Sequence, residues 1–468
     1  MVEVGKRYIL KIEKYNNKGE GIGYVDEFVV FVPGAIVNEI VEIIMNKVNK
    51  SYGYGEIVDI LSISNSRVIP ICNVYKNCGG CDLQHMEYKE QVNFKESKIK
   101  DAFARIGNIK DIKIDKFYGM DNPYKYRNKV QVPFADVNGV VVSGFYKSKS
   151  HKIVDMDFCH IQFSESNEII KGTKEYLKKN NVKLYDGVRH FEGKKDYGLF
   201  RHLLIRRGYN TGEIMVVVIL TEDDRKFLDG YVEFLLSKFS HIKTIVLNVN
   251  NNITNVILGE EERILYGDGY IKDKVNNFVF RIQSKSFFQV NTRQSEKLYS
   301  ASIDMADLKY GDVLLDAYCG IGTIGICASR KVKKVYGIEE VKQSIIDANE
   351  NKLINNIKNI EFIHGKVEDS IEDLINSGVN ITAAIIDPPR KGVKESVLHK
   401  LREINCKKIV YISCDVATLA RDSKILMELG YTITKVYGVD MFCQTSHVET
   451  IACFKLKNVS KNYEIIEG

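Results

Sequence analysis

A cysteine near the end of the chain lies where an enzyme could place a nucleophile. The segment YISCDVATLARD, residues 411–422, has the pattern of a strand that stops at Ser413, followed by Cys414 and the start of a helix. Thiolates are strong nucleophiles near neutral pH, but free cysteine is also one of the most buried residue types. Cys414 therefore has two interpretations, a buried thiol or a catalytic one, and its surroundings must decide between them.

A glycine-rich loop, DAYCGIGTIG at residues 316–325, follows another strand-like segment. Three of its glycines match the G-x-G-x-x-G pattern of dinucleotide-binding turns: Gly320, Gly322 and Gly325. The pattern suits a nicotinamide cofactor or S-adenosylmethionine (SAM), because both need close approach of the backbone. Asp316 ends the strand before the loop, and Glu339 is placed after the next strand to hold ribose hydroxyls. A turn needed only for packing is the third interpretation.

A second loop, in IIDPPRKG at residues 385–392, puts Asp387 and two prolines at a strand end. Two prolines cannot continue a parallel strand, and they fix a rigid, extended loop. Such a rim could form a wall beside a planar base, with Asp387 available for polar contact. Nicotinamide enzymes have no evident need of it, so the motif favours SAM. A stiff surface loop is the alternative.

A cluster of cysteines lies in CNVYKNCGGCDLQH, where Cys72, Cys78 and Cys81 have the spacing C-x5-C-x2-C. Three thiols this close in a cytosolic chain indicate a metal site. His85 would complete a zinc site, whereas Cys159 would supply the fourth thiolate of an iron–sulfur cluster. The spacing alone favours zinc slightly, and packing of the three thiols is the remaining alternative.

A thiolate and a carboxylate together could modify a uracil ring. Addition of the Cys414 thiolate to C6 would make C5 nucleophilic, so that C5 could take the methyl group of SAM. A base must then remove the C5 proton, and Glu449 in MFCQTSHVETIACFKL, residues 441–456, is a candidate. We expect Asp415 to point away or to cap the following helix.

Three regions must position these residues. Residues 1–60 consist of short β-like segments broken by glycine, which predicts a small five-strand barrel. Residues 61–284 are mixed α and β and begin with the cysteine cluster. From residue 285 to 468 strands and helices alternate, which predicts a doubly wound parallel sheet with ligands at the carboxyl ends of its strands.

Composition limits the class of protein. The 67 basic and 61 acidic residues leave a net charge of +6, which permits binding to nucleic acid without arguing for it. No window approaches the ~18 consecutive apolar residues of a membrane span, and the N-terminus does not resemble a signal peptide. We therefore expect a cytoplasmic protein without a membrane partner, and a monomer.

Together these motifs resemble the RNA uracil-C5 methyltransferases, specifically the 23S ribosomal RNA branch with an N-terminal TRAM domain. VPGAIVNEIVE is similar to TRAM, an OB-like RNA-binding barrel, and the four cysteines are similar to the family's [4Fe–4S] site. The methyltransferase motifs occur in the family's order: FFQVN, DAYCGIGT, DPPRKG, SCDVATLARD and HVET. The combination is much more specific than any single motif. It implies a Rossmann-like SAM-dependent domain at residues 285–468.

The resemblance implies that Cys414 is the nucleophile and Glu449 the base. It implies that the SAM and target-base pocket is lined by Gln289, Tyr318, Glu339 and Asp387. It also implies that Cys72, Cys78, Cys81 and Cys159 ligate a [4Fe–4S] cluster, which reverses the preference for zinc. Two positions depart from the family pattern. Asn38 replaces an expected glycine, although asparagine tolerates a positive φ, and Cys443 replaces a proline.

The expected partner is RNA, and the resemblance implies 23S ribosomal RNA, with 5-methyluridine as the product. A structured uridine would have to be flipped into the pocket. Further RNA contacts are expected in PYKYRNKVQ, residues 123–131, and in FYKSKSHK, residues 145–152, where a solvated strand face is an equal alternative. The rival functions are the same reaction on transfer RNA, a non-catalytic RNA-binding protein, and an NAD-dependent oxidoreductase.

Overall fold

A computed structural model describes residues 2–457, and contacts divide the chain into two compact, discontinuous units. The first unit comprises the residues up to 98 together with 119–295 and 440–447. The second comprises 99–118, 296–439 and the residues from 448 onward. The three contiguous domains expected from the sequence, 1–60, 61–284 and 285–468, stay a prediction.

The strands are short in the N-terminal region and regular in the C-terminal half. In chain order they are β1 (Arg7–Lys11), β2 (Lys14–Tyr15), β3 (Gly21–Val25), β4 (Phe28–Val32), β5 (Ile40–Val48), β6 (Tyr52–Ser62), β7 (Lys116–Tyr118), β8 (Lys129–Val137), β9 (Val140–Tyr146), β10 (Ile153–Asp155), β11 (Phe200–Arg207), β12 (Ile214–Leu220), β13 (Ile242–Val249), β14 (Glu261–Tyr266), β15 (Tyr270–Val275), β16 (Phe278–Gln283), β17 (Val313–Ala317), β18 (Lys334–Glu339), β19 (Ile360–His364), β20 (Ala383–Ile386), β21 (Lys408–Ser413), β22 (Tyr431–Val439) and β23 (Glu449–Leu456).

Helices occur in both halves of the described chain and alternate regularly with strands in the C-terminal half. They are α1 (Tyr88–Arg105), α2 (Ser164–Lys179), α3 (Gly187–Phe191), α4 (Arg225–Lys238), α5 (Thr292–Met305), α6 (Thr323–Ala328), α7 (Lys342–Ile354), α8 (Val367–Asn376), α9 (Glu395–Glu403) and α10 (Val416–Glu428). No helix within residues 2–457 combines the length and the apolar character that crossing a membrane requires.

The N-terminal sheet of the first unit has six strands in the order β1–β5–β6–β4–β3–β2. Its core follows the two-residue period of a strand, because Val41, Ile43 and Met45 on β5 are fully buried. Asn38 adopts φ 73°, which confirms that asparagine takes the positive φ where glycine was expected. The sixth strand, β2, has only two residues and escaped the five-strand prediction. Closure into an OB-like barrel stays a prediction.

The rest of the first unit is built on a seven-stranded sheet in the order β10–β9–β8–β11–β12–β13–β14. Only the β12–β13 pair is parallel among the pairs of this sheet, and every residue of β12 is buried. Apolar side chains of α2 and α4 pack with those of the sheet to form one core, as Ile169, Leu177 and Tyr231 show. A two-stranded pair, β15–β16, belongs to the same unit.

The second unit contains an eight-stranded sheet in the order β19–β18–β17–β20–β21–β23–β22–β7. The strands β19, β18, β17, β20 and β21 run parallel, and β23 is antiparallel to both of its neighbours. Helices alternate with these strands, so the predicted doubly wound α/β architecture is present. The edge strand β7 comes from residues 116–118, far earlier in the chain than the rest, and no local sequence pattern predicts that it joins this sheet.

Candidate active site

The carboxyl ends of three neighbouring strands meet at one edge of the second unit's sheet. Ala317 at the end of β17 pairs with Ile386 at the end of β20, and Ile386 pairs with Tyr411 near the end of β21. The residues that follow these strands are Tyr318, Asp387 and Cys414. Parallel sheets bind ligands at this edge, so the fold brings together the three loops that the sequence motifs singled out.

Cys414 lies beside Glu449 because of the antiparallel register between β21 and β23. Ser413, the last residue of β21, pairs with Thr450. The next position in this register sets Cys414 opposite Glu449, the first residue of β23. The sequence could not predict this pairing, because the two residues are separated by a helix and a strand. Asp415 accepts hydrogen bonds from the backbone N–H groups of Ala417 and Thr418, which confirms its role as the N-cap of α10.

The Cys414 thiol is protonated in the resting structure. The side chain is half-buried, and burial raises the pKa of the thiol to about 11. The carboxylates of Glu449 and Asp387 raise this pKa further, whereas the Arg390 guanidinium opposes them. A nucleophilic Cys414 would therefore have to lose its proton as it reacts.

The carboxyl groups beside Cys414 have pKa values close to neutral pH. Glu449 is only 2 % exposed, and its pKa is raised to about 8, mainly by burial and in smaller part by Asp387, while Arg390 opposes the rise. Burial also raises the pKa of Asp387 to about 7. A carboxylate whose pKa lies near the operating pH is suited to proton transfer. The geometry therefore places a thiol next to two groups that can accept a proton.

The glycine loop is held by two carboxylates at the ends of strands. Asp316 accepts a hydrogen bond of 2.7 Å from the N–H group of Gly325, and a Cβ at Gly325 would lie 2.8 Å from the same oxygen. Glu339 accepts from the N–H groups of Gly320, at 3.1 Å, and Val341, at 2.9 Å. The loop therefore requires glycine at residue 325 and an acid at residue 339.

The same loop has the backbone of a ligand-binding turn. Gly320 and Gly322 adopt φ angles of 54° and 81°, and Tyr318 adopts φ 63°, which is rare for a bulky residue. Burial raises the pKa of Asp316 to about 8, and its Oδ1 atom has no hydrogen-bond partner among the described residues. A buried carboxyl oxygen without a donor is a position where a ligand can donate a hydrogen bond.

Two residues of this site were not assigned roles from the sequence. Tyr299 on α5 is buried, and burial, followed by the charges of Asp387 and other acids including Asp316 and Glu449, raises the pKa of its phenol. Arg390 is exposed in the rigid loop after Asp387 and is the cation that opposes the raised pKa of Cys414 and Glu449. Arg390 belongs to the quoted DPPRKG motif, whereas nothing in the local sequence indicates Tyr299.

The four cysteines expected to bind a metal converge within the first unit. Cys78, Cys81 and Cys159 belong to one cluster of packed apolar side chains. The pKa of Cys81 is raised to about 12 and that of Cys159 to about 11, mainly by burial, with smaller contributions from the neighbouring thiols, including Cys72. Within residues 2–457, however, no three His, Cys, Asp or Glu side chains are arranged to hold a metal ion.

His85, the zinc ligand considered as an alternative, makes contacts of a different kind. Its Nδ1 atom lies 2.7 Å from the hydroxyl oxygen of Tyr75, and burial lowers the pKa of the imidazole to about 4. Cys443 packs in the same cluster as Cys159, and its carbonyl oxygen accepts a hydrogen bond from the Tyr126 hydroxyl. Cys443, the cysteine that departs from the family pattern, thus packs with three of the four expected ligands, Cys78, Cys81 and Cys159.

The segment 440–447 is anchored within the first unit by buried polar groups. The Lys95 ammonium lies 2.6 Å from an Asp440 carboxylate oxygen, and both side chains are fully buried. Gln91 exchanges hydrogen bonds with Gln444, and the Asp82 carboxylate accepts from the N–H group of Ser446. The spacing of apolar residues along the sequence cannot reveal this network, because the paired residues are more than 300 residues apart in the chain.

The expected RNA-contact segments are only partly available to a ligand. Tyr126, one of the tyrosines in the segment 123–131, is 2 % exposed and donates its hydroxyl to the carbonyl oxygen of Cys443, so its ring is not available to stack on a base. Lys125 is exposed, whereas burial lowers the pKa of Lys129 to about 7, with Arg206 and Arg127 lowering it further. Gln289 belongs to the first unit and is buried, and its role in binding SAM stays a prediction.

Two family models match the chain. Residues 237–457 match the family described as tRNA (Uracil-5-)-methyltransferase, and residues 1–58 match the TRAM domain. The first match covers most of the eight-stranded sheet together with β13 to β16 of the first unit, and the second falls on the N-terminal six-stranded sheet.

Similar proteins extend over nearly the whole chain. A protein from Clostridium tetani called an uncharacterized RNA methyltransferase is 45 % identical over 96 % of this chain and 96 % of its own length. An uncharacterized RNA methyltransferase from Clostridium acetobutylicum is 44 % identical over 97 % of this chain and 98 % of its own. The crystal structure of Pyrococcus abyssi tRNA (uracil-54, C5)-methyltransferase in complex with S-adenosyl-L-homocysteine aligns with a TM-score of 0.75 at 27 % identity, covering 95 % of this chain and 99 % of that one.

Proposed function

The chain belongs to the SAM-dependent RNA uracil-C5 methyltransferases, and we propose that it methylates a uridine through a covalent bond between Cys414 and C6 of the ring. The observation that supports this proposal most directly is the register that sets Cys414 opposite Glu449, with Asp387 at the end of the adjacent strand. A nucleophile and a base for proton removal are both needed, and this edge of the sheet carries both.

In the first step the thiol of Cys414 loses its proton and its sulfur bonds to C6. The electron pair of the C5–C6 double bond moves to give an enolate with density at C5. Because the pKa of the resting thiol is about 11, a neighbouring carboxylate must accept the proton as the bond forms. Asp387, with a pKa of about 7, is ionised in a useful fraction near neutral pH.

SAM supplies the methyl group as an electrophile on its sulfonium, and S-adenosylhomocysteine leaves once the methyl group is on C5. The saturated ring then carries a methyl group and a proton at C5 and the Cys414 sulfur at C6. Glu449 removes the C5 proton, the C5–C6 double bond reforms, and the sulfur departs as the thiolate. A pKa of about 8 makes the Glu449 carboxylate basic enough for this transfer.

The residues proposed to hold SAM are those of the strand ends and the glycine loop. Glu339 would accept from the ribose hydroxyls with lone pairs that its two backbone donors leave free. The unpartnered Oδ1 atom of Asp316 supports a donor group of the ligand nearby. The complete proposed set is Gln289, Tyr318, Gly320, Gly322, Glu339 and Asp387.

We propose ribosomal RNA, and specifically 23S RNA, as the substrate. The TRAM domain and the cysteine cluster support this choice through the family resemblance. Transfer RNA is the second candidate, because the aligned Pyrococcus abyssi enzyme is a tRNA (uracil-54, C5)-methyltransferase and the family description names tRNA.

We also propose that Cys72, Cys78, Cys81 and Cys159 hold a [4Fe–4S] cluster, with zinc as the alternative. Cys78, Cys81 and Cys159 pack in one cluster, and Cys72 lies close enough to act on Cys81 and Cys159, which supports a soft, thiolate-ligated metal. Oxygen-free purification followed by iron and zinc analysis distinguishes the two metals. Cys81→Ala should lose the metal, whereas Cys453→Ala, which removes a buried thiol on β23, should keep it. Wild-type protein without either metal would contradict the proposal.

The decisive experiment traps the covalent adduct. RNA that contains 5-fluorouridine is incubated with the protein and SAM, and a denaturant-stable protein–RNA adduct is sought. Fluorine at C5 cannot leave as a proton, so the methylated adduct should stall. Cys414→Ala should form none, and the control Cys453→Ala should form as much as wild type. Ribosomal and transfer RNA are tested separately, and the absence of an adduct with both would refute the proposal of covalent uracil methylation.

A further inference from the structure

A large cavity lies within the first unit and has no assigned role. It measures about 1270 Å³ and is lined by residues of β8 and β9, by the segment from the end of α2 to β11, and by residues 253–257. Sites for small ligands usually measure ~300–1,000 Å³. The cavity is therefore larger than a single metabolite requires, and its lining must indicate what it holds.

Arg201 is a buried cation in the wall of this cavity. Its side chain is 3 % exposed, and its Nη1 atom donates to the backbone carbonyls of Asn250 and Asn252. Within residues 2–457 no carboxylate forms an ion pair with Arg201, and its Nε atom has no hydrogen-bond partner. A guanidinium stays charged when buried, so it favours an anion, and phosphate matches its fork geometry.

Aromatic rings surround this cation. The Arg201 guanidinium lies 4.1 Å from the centre of the Tyr185 ring, and Tyr146 and Tyr197 line the same cavity. Tyr197 and His190 form a stacked pair with ring centres 4.0 Å apart. Half-exposed rings beside a cation are the common means by which proteins bind single-stranded nucleic acid, since every base can stack on them.

The acidic side chains of the cavity are already engaged elsewhere. Asp196 pairs with Lys183 at 2.9 Å, and Asp186 accepts from backbone N–H groups at the start of α3. Asp136 accepts from the N–H group of Gly139 in the β8–β9 turn. Lys178 adds an exposed positive charge at the end of α2. The cavity thus offers positive charge and aromatic faces to an anionic ligand.

We propose that this cavity binds a single-stranded stretch of the substrate RNA, with a phosphate at Arg201 and a base stacked on Tyr197. The inference rests on RNA being the substrate and is independent of the covalent role of Cys414. The alternative is that Arg201 only anchors the segment 250–252 through its two carbonyl contacts. That alternative leaves the unpartnered Nε atom and the aromatic lining unexplained.

The test measures binding of a short, fluorescently labelled single-stranded RNA to the full-length protein without SAM. Tyr197→Leu should weaken binding by ~5-fold to ~150-fold, the usual loss when one stacking contact is removed. Tyr310→Leu, which removes an 83 % exposed tyrosine of the second unit, should leave binding unchanged. Lys178→Gln should lower the slope of log affinity against log salt by ~0.7, whereas Lys179→Gln on the same helix should not.

Photocrosslinking from 4-thiouridine in the same RNA locates the contact. We expect crosslinked peptides from residues 185–201 in wild type and their loss in Tyr197→Leu. Wild-type affinity and salt dependence in both Tyr197→Leu and Lys178→Gln would overturn the proposal. If Tyr197→Leu fails to fold by circular dichroism, the salt slope of Lys178→Gln decides alone. The binding assay contains no SAM and does not depend on methyl transfer, so failure of the covalent mechanism is distinguishable from failure of this proposal.

Discussion

Glu449→Gln is the change that most directly tests the chemistry of the site. The carboxyl is 2 % exposed, and its pKa is raised from an ordinary 4.5 to about 8 by burial and by Asp387. Because the folded chain holds this proton more tightly than the unfolded chain, the resulting stability is fully present below pH 4.5. It is lost as the pH rises through about 8. At 1.36 kcal/mol per pH unit, ionised Glu449 destabilises the fold by at most about 5 kcal/mol.

Glutamine has nearly the same shape and no charge, so Glu449→Gln should not show this loss. At pH 9 the variant should unfold at a higher temperature than wild type, and at pH 5 the two should agree within about 1 kcal/mol. Thermal unfolding followed by circular dichroism at both pH values gives the comparison. An equal difference at pH 5 and pH 9 would refute the assignment of the raised pKa to Glu449.

The same variant should stop catalysis after methyl transfer rather than before it. We expect the rate of product formation to fall ~10²- to 10⁴-fold, and protein–RNA adduct to accumulate on ordinary uridine-containing RNA. Cys414→Ala should give neither product nor adduct. Denaturing gels and mass spectrometry of the trapped species distinguish the two variants. A Glu449→Gln protein that turns over normally, or one that forms no adduct while binding RNA and SAM, would refute the role of Glu449 as the base.

Three further perturbations follow from the contacts. Gly325→Ala should weaken SAM binding, measured by calorimetry, and lower the free energy of unfolding by about 1–3 kcal/mol, because its Cβ would lie 2.8 Å from Asp316. The control Gly311→Ala, whose Cβ would have nothing within 4 Å, should match wild type in both measurements. Lys95→Met should cost about 3–5 kcal/mol in urea unfolding by leaving Asp440 buried without its cation, and adding Asp440→Asn should recover part of the loss. Raising the pH from 6 to 9 should strengthen the binding of SAM more than that of S-adenosylhomocysteine. Three carboxyls of the site ionise in this range, with pKa values of about 7 and 8, and only SAM carries the positive sulfonium charge. Equal changes in affinity for both ligands would contradict this.

The sequence was sufficient for features that depend on short stretches of chain. The alternation of strands and helices after residue 285 predicted the α/β sheet, because each strand and its following loop are contiguous. The same locality explains why Asp387 and Cys414 could be assigned to strand ends, and why Asp415 could be expected to cap a helix. Because neighbouring strands of such a sheet are parallel, their carboxyl ends meet at one edge of the sheet, and no other contact is needed to predict this.

The features that the sequence could not predict depend on contacts between distant segments. Tyr126 stands among basic residues, which suggested an exposed strand face, but its side chain is buried against Cys443. The pairing of β7 with β22 joins residues 116–118 to residues 437–439, and no local period encodes it. The grouping of residues 440–447 with the first unit likewise depends on the buried pair of Lys95 and Asp440.

The raised pKa values of the acids in the site also depend on contacts between distant segments, so the sequence could not predict them. Asp316, Asp387 and Glu449 each end or begin a strand in separate parts of the chain, and no one of these segments reveals that the others are close. Once the sheet assembles them, burial raises all three pKa values, neighbouring acids add to the rise at Asp316 and Glu449, and Arg390 opposes it at Glu449. Folding alone therefore gains nothing from bringing these acids together. Their convergence becomes favourable when a positively charged ligand or a transferred proton is present, which is the condition that SAM-dependent methylation supplies.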